Sequence, residues 1–434
     1  MRPRTWVLVL AAVFAVLQLA NVTGRDTPDT RNYLSYALSL GGDSKREAAA
    51  ATIDYACAGR ASAAYRRQKV DVVRFHAPDP RRRVVTECRA TAWREVDARL
   101  RAGQRGGHTV PFSSARFMRI FEARPGYPVF LLPFVTVLGV TWGVWAASVV
   151  IAVAGGILAF LILRTLSVPV PLALTGQALY YVLPCGTTAM RPMTEGLLLA
   201  LTLAAVWGCA LVLHGHRARA GLVLVGGSLA GLFTVKHSQA LFLGLCLAGA
   251  GAVIAVRRWR WRWRRRRRRG QAVGRDVMAL AAVGGSAVVG SLLLAKVLHY
   301  PSASESVQDL LADHFTRPDR TRPWPEFLHL QANFWTEWLR RQLWQPLFSA
   351  ALAVGAWGAL RGRRRAFGGF LVAAGCTGIL TQAAHPDITI WGDRLIVLAW
   401  LLPVVGVPLL LERVARERVT LPAQERAERA HTMG

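Results

Sequence analysis

Residues 5–22, TWVLVLAAVFAVLQLANV, run without a single charge, and a few positions later stands Asp29-Thr-Arg-Asn-Tyr33-Leu-Ser-Tyr-Ala37. A bilayer core of about 30 Å takes about 20 apolar residues in a helix, so the first stretch reads as a membrane span. Asp29 then sits at the lip of that membrane. A carboxylate there needs a reason, because its solvation is traded against nearby hydrocarbon. Working outward, apolar stretches recur near 142–163, 168–184, 195–214, 221–235, 239–256, 277–298, 343–360, 366–382 and 395–411, about ten spans in all. Those near 168, 221 and 366 are short for a full crossing. Gly and Ala are frequent inside the spans, which suits close helix packing in lipid. The expected fold class is all-α: one polytopic transmembrane domain over 1–412 and a cytoplasmic tail, 413–434.

The net charge of +29 is carried by arginine, with only four lysines in the chain. Such a charge raises nucleic acid as a partner, but its placement argues for topology instead. Arg257, Arg258, Arg260, Arg262 and the run Arg264–Arg269 follow directly on an apolar span. Arg217 and Arg219, Arg361 to Arg365, and Arg413, Arg416 and Arg418 flank others. Short basic loops stay in the cytoplasm and contact anionic lipid there. Trp259, Trp261 and Trp263 between arginines fit a headgroup-level anchor. Arg2 and Arg4 start inside, so residues 23–127 form an outer loop and both termini are cytoplasmic. The apolar stretch 128–139 is expected as an interfacial or partly buried helix leading into 142–163, because a separate span would export the arginine run. The first segment also has the shape of a signal peptide. Its end, Leu19-Ala20-Asn-Val-Thr-Gly24, is a poor cleavage site, and a retained anchor is the expectation.

Two outer regions are large, 23–127 and 299–341. The first reads as helical at 31–40, 44–68 and 89–102, with a Pro- and Arg-rich turn at 78–83. The second holds Asp309, Asp313 and His314 and an amphipathic stretch from Phe327 to Leu343, suited to the outer interface. Cys57 and Cys88 are the cysteines of the outer loop. A disulfide suits an oxidising exterior, and two free thiols are the alternative. No Cys/His spacing suggests a metal site, and no phosphate loop, dinucleotide-binding glycine pattern or HExxH motif is present, so an activated nucleotide is not expected as a substrate, nor is a cofactor.

Polar residues collect at the outer ends of the spans: Asp26 and Asp29 after the first, Arg124-Pro-Gly-Tyr127-Pro128 before the second, and Arg191-Pro-Met-Thr-Glu195 at another start. Lys236-His237 interrupts the 221–256 hairpin, and Asp387 and Asp393-Arg394 precede the last span. Cations at that depth are costly unless they meet an anion or line a pore, and several together suit a phosphate or pyrophosphate headgroup. Plainer readings stand beside these. Asp29 could cap a helix, Glu195 could answer a helix dipole, and Lys236-His237 could turn a hairpin. Arg124 could anchor to lipid headgroups, and Tyr127, Tyr180 and Tyr181 could be belt residues.

The arrangement resembles the GT-C superfamily of integral-membrane glycosyltransferases. Asp29-x-x-x-Tyr33-x-x-x-Ala37 is similar to their first-loop acidic motif. Arg124-Pro-Gly-Tyr-Pro128, running into Leu131-Leu-Pro and Gly139, looks like the segment before their second span. Glu195 resembles their outer-face Thr/Pro-Glu signature, and Ser228-Leu-Ala-Gly231 their small-residue hairpin. Lys236-His237 stands where many relatives have Arg-Pro. The resemblance implies inverting transfer of a sugar from a polyprenyl-phosphate donor to a hydroxyl on a glycan, lipid or protein acceptor, at the outer face of the plasma membrane. Asp29 would be the catalytic base, and Tyr33, Arg124, Arg191, Glu195, Lys236, His237 and Arg394 the substrate-binding set. Membrane lipids are expected partners and nucleic acid is not. The alternative is a transporter or lipid-linked-sugar flippase.

Overall fold

The computed structural model describes residues 3–265, 271–389, 392 and 394–432; Asp393 and Arg266–Arg269 fall outside them. The described chain is helical throughout, without a strand. In order, α1 (Pro3–Gln18) leads to a cap of α2 (Pro28–Leu40), α3 (Lys45–Lys69), α4 (Arg81–Arg101) and α5 (Ala115–Glu122). The body follows as α6 (Gly126–Thr165), α7 (Val170–Val182), α8 (Pro184–Ala189), α9 (Thr194–Leu213), α10 (Ala218–Arg265) and α11 (Gln271–Val297). After α12 (Ala303–Leu311) come α13 (Pro323–Trp344), α14 (Leu347–Leu360), α15 (Arg365–Ala384) and α16 (Leu401–Thr432), the last entered through a 3-10 turn, Leu395–Trp400.

Seven of the described helices are long and apolar enough to cross a membrane, and α13 with α14 makes an eighth if that pair, bent by 87°, counts as one span. The stretches counted from sequence map unevenly onto them. The pair 221–235 and 239–256 is one element, α10, broken at Lys236, whose extended backbone (φ −162°, ψ 97°) interrupts the helix. The stretch 168–184 is α7, 13 residues long, about 20 Å at 1.5 Å per residue. Pro184 then starts α8 in a new direction.

The stretch 128–139 is an arm of α6. Gly139, at φ +71°, occupies the left-handed region open to glycine. The chain folds back there so tightly that a Cβ on Gly143 would lie 2.5 Å from the Phe134 carbonyl oxygen. Tyr127, Leu131 and Val135 of the arm are buried, while Val137 is 79% exposed. In the cap, α4 begins eight residues before the expected helix and absorbs the second half of the Arg-rich turn. The cap has its own small core, in which Ile53, Cys57, Val96 and Phe112 meet beside a disulfide from Cys57 to Cys88.

Glycines set the body's close approaches. A Cβ on Gly208 would lie 2.7 Å from the Gly221 carbonyl oxygen, and one on Gly244 would lie 2.9 Å from that of Gly284. These contacts run α9, both arms of α10, and α11 antiparallel, backbone against backbone. Small residues matter here because helices in lipid gain nothing from hiding apolar surface from water and associate by close packing instead. Outward faces remain apolar, as at Leu8 (64% exposed) and Leu293 (60%). The two ends of the body differ. At one, Arg364 and Arg416 flank the buried Glu412, at 2.5 Å in each case. Glu195 and Lys236 mark the other.

Candidate functional site

Five separate elements converge at that second end. Asp29 lies in the first turn of α2. Thr27, however, is the helix cap, its backbone N–H donating to Thr30 Oγ1 at 2.8 Å. The Asp29 carboxylate is left to receive the guanidinium of Arg394, which donates to it through Nη2. The same guanidinium donates through Nε to Glu195 Oε1 at 3.1 Å. Glu195 opens α9, and its other oxygen accepts from Thr194 Oγ1 at 3.1 Å. With a side chain only 5% exposed, Glu195 is stable as an anion because that fork and hydroxyl replace its lost water. In return the Glu195 charge, with Asp29 behind it, raises the Arg394 pKa above its ordinary value against the cost of burial.

Two further cations complete the group. Lys236, at the break in α10, lies within electrostatic reach of Glu195, Arg124, Arg394 and Asp29. The break turns the chain and delivers the ammonium toward the start of α9. Arg124 donates through Nη1 to Tyr33 Oη at 3.3 Å. Tyr33 is fully buried and edge-packed on Phe121 and Tyr127, with ring centroids at 5.3 and 5.5 Å. Burial first of all raises its pKa, so the phenol stays neutral. Arg124 Nε is buried without a hydrogen-bond partner. Among the described residues two carboxylates thus meet three cations, leaving one positive charge in excess, which suits an anionic ligand.

The remaining expected residues sit nearby or apart. Arg191 is half-buried in the turn between α8 and α9, where its carbonyl accepts from Met193 N at 2.8 Å. His237 packs against Tyr300, with ring centroids 5.3 Å apart, and its buried Nδ1 has no partner. Asp26 faces the cap: a Cβ on Gly59 of α3 would lie 2.7 Å from its Oδ1. It belongs to a different environment from Asp29, three positions on.

Two histidines join from sequence that was read as a polar loop or passed over. His385, just past α15, is pushed down to about 4 by burial and by the charges of Lys236 and Arg394. His314 is 3.2 Å from Asp309 through Nδ1, and its imidazole is raised by that hydrogen bond. The segment carrying it docks on α5 through Arg116 to Asp319 at 2.8 Å and Arg119 to Glu305 at 3.1 Å. Asp309 was visible as a polar residue, but nothing in its spacing tied it to a site 280 residues upstream. No protein-family model, curated protein or solved structure matches this chain.

Proposed function

We propose that this chain is an inverting glycosyltransferase of the GT-C kind, moving a sugar from a polyprenyl-phosphate donor to an acceptor hydroxyl. The observation that carries the reading is the junction of Asp29, Arg394 and Glu195, with Lys236 and Arg124 beside it. Five elements far apart in sequence bring acids and surplus positive charge to one end of the helices. In the proposed reaction Asp29 takes the proton of the acceptor hydroxyl as its oxygen attacks the anomeric carbon from the face opposite the donor phosphate. The bond from that carbon to the phosphate oxygen breaks, and polyprenyl phosphate leaves with the electron pair. Lys236, Arg124 and Arg394 stabilise the developing charge. As the donor phosphate draws on Arg394, Asp29 is released from its ion pair and becomes the stronger base.

The reading extends to about ten passes through the plasma membrane: α1, the longer arm of α6, α7, α9, the two arms of α10, α11, α14, α15 and α16. Two observations support the outer location of the site. The Cys57–Cys88 disulfide lies in the cap on the same side as Asp29, and disulfides persist in oxidising compartments. Arginines gather at the other end, at Arg164, Arg364 and Arg416, as cytoplasmic ends require. A transport role is less well supported, because transporters bind near the middle of the membrane, whereas Asp29 and Glu195 stand in first helical turns and Lys236 joins the two arms of α10 at that same end.

The test is turnover of a panel of polyprenyl-phosphate sugars by purified protein and by Asp29→Asn. General-base assistance is worth about 10²- to 10⁴-fold, and a loss of that size with fold intact is expected. Equal turnover by the two proteins removes Asp29 from the role of base. A panel on which the wild type is inert removes the proposed reaction with those donors.

A further inference from the structure

A cavity of about 380 Å³ opens on the cap side of α2, away from the candidate site. Pro28 and Thr30, on either side of Asp29, line it, while the Asp29 carboxylate turns the other way to Arg394. Cavity and candidate site are back to back across the first turn of α2. The opposite wall is α3, which contributes Tyr55, Arg60 and Arg67, and Arg31 reaches in from α2.

The charge balance of this space is lopsided. Arg31, Arg60 and Arg67 line it. Arg66 stands just behind, where a Cβ on Gly24 would lie 2.7 Å from its Nη2. None of these four makes an ion pair with a carboxylate among the described residues. The one acid in the lining is Asp26, whose pKa burial raises against the pull of Arg60, so three guanidinium groups face one carboxyl. Arg31 is the most exacting member. Its guanidinium lies over the Phe112 ring at 5.2 Å, and its Nε is buried without a hydrogen-bond partner. Burial foremost depresses its pKa, with the like charges of Arg60 and Arg99, against the pull of Glu95 and, more weakly, of Asp29. Clustered guanidinium groups repel one another, and a bound anion relieves that repulsion.

We propose that this cavity is a binding site for a phosphate group, held by Arg31, Arg60 and Arg67 and separate from the Asp29 cluster. Phosphate fits better than a lone carboxylate, because several planar forks converge and each pairs with two oxygens of a multiply charged tetrahedral anion. The volume sits at the low end for small-ligand pockets. It accommodates a pyrophosphate or sugar phosphate. Gly24 lies only a few residues beyond the first apolar segment, so the phosphate could belong to a soluble molecule or to a lipid headgroup.

The experiment uses the full chain in nanodiscs. In the first arm, with phosphatidylcholine alone, sodium pyrophosphate is titrated calorimetrically into wild type, Arg60→Gln/Arg67→Gln, Arg31→Gln and Lys236→Gln. Arg60 and Arg67 are exposed, so their replacement leaves the cap folded, and unchanged protease resistance within 45–101 checks this. In the second arm the discs contain phosphatidylglycerol, and native mass spectrometry counts retained lipid. A tenfold or greater loss of pyrophosphate affinity in Arg60→Gln/Arg67→Gln, with Lys236→Gln like wild type, is the expected result for a soluble ligand. Retained phosphatidylglycerol that this double variant loses, and that pyrophosphate displaces, is the expected result for a headgroup. The proposal is overturned if wild type binds neither probe, if the double variant loses less than tenfold in both arms, or if the loss follows Lys236→Gln instead.

Discussion

Among the described residues Arg394 is the cation that bonds both Asp29 and Glu195, and its replacement by Gln removes both bonds. The side chains of Arg394, Asp29 and Glu195 are 21%, 18% and 5% exposed, so the two carboxylates are not equally affected. Asp29 can draw on water, but Glu195 is left as an anion in a site with almost none. Orphaning one member of a buried pair costs about 3–5 kcal/mol. Lys236 remains within reach of Glu195 and lowers that figure, to about 3 kcal/mol. Glu195→Gln alone leaves Arg394 with Asp29 and should cost about 1.5 kcal/mol, the worth of a hydrogen bond to a charged group. The double variant removes the stranded charge as well. It should lose about 2.5 kcal/mol instead of the summed 4.5, a coupling of about 2 kcal/mol. Equilibrium unfolding in mixed micelles, followed by tryptophan fluorescence, measures all three. If the single effects add to within about 0.5 kcal/mol, the carboxylate does not depend on Arg394 and the ion-pair argument fails.

Three other outcomes follow from the structure. Reduction of Cys57–Cys88 opens a loop with a sequence separation of 31 and should cost the cap about 3–4 kcal/mol by the loop-entropy estimate, seen as faster proteolysis within 45–101 while the body stays intact. The raised His314 imidazole stabilises its docked segment below its unfolded-state pKa, and this support is lost as pH rises through the higher folded-state value. Amide exchange over 303–317 should therefore be faster at pH 8.5 than at pH 6, and equal intrinsic-corrected rates would count against it. Gly139→Ala forces a Cβ into the left-handed region at φ +71° and should destabilise by about 1–2 kcal/mol, whereas the same change at Gly249, which has open space around its Cα, should be neutral or slightly stabilising.

Helix content was legible because the apolar runs are long and the cap helices carry ordinary start signals. Ser44 with Glu47 is one such signal, and their mutual bonds, Glu47 N to Ser44 Oγ at 3.3 Å and Ser44 N to Glu47 Oε2 at 2.9 Å, form as that spacing implies. The break at Lys236 was also legible, since a lone lysine within an apolar run has to leave lipid. What sequence could not supply was pairing. Arg394 meets Asp29 from 365 positions away, and no local pattern encodes a contact set by the packing of α9, α15 and α16. The fold-back at Gly139 was hidden for a related reason: apolar residues continue on both sides, so composition has no discontinuity to report. His385 went unnoticed because it is a single residue in a loop, and its significance comes wholly from the cations beside it.

The glycine seams have a consequence for biosynthesis. Gly208 with Gly221, and Gly244 with Gly284, join helices that are neighbours along the chain, so those hairpins can zip together as they leave the ribosome. Arg394 emerges 365 positions after Asp29 and 199 after Glu195. Until then the two acids wait without the guanidinium that neutralises them. A nascent protein stalled before position 394 carries that uncompensated pair as a mark of incompleteness, available to whatever machinery surveys unfinished membrane proteins.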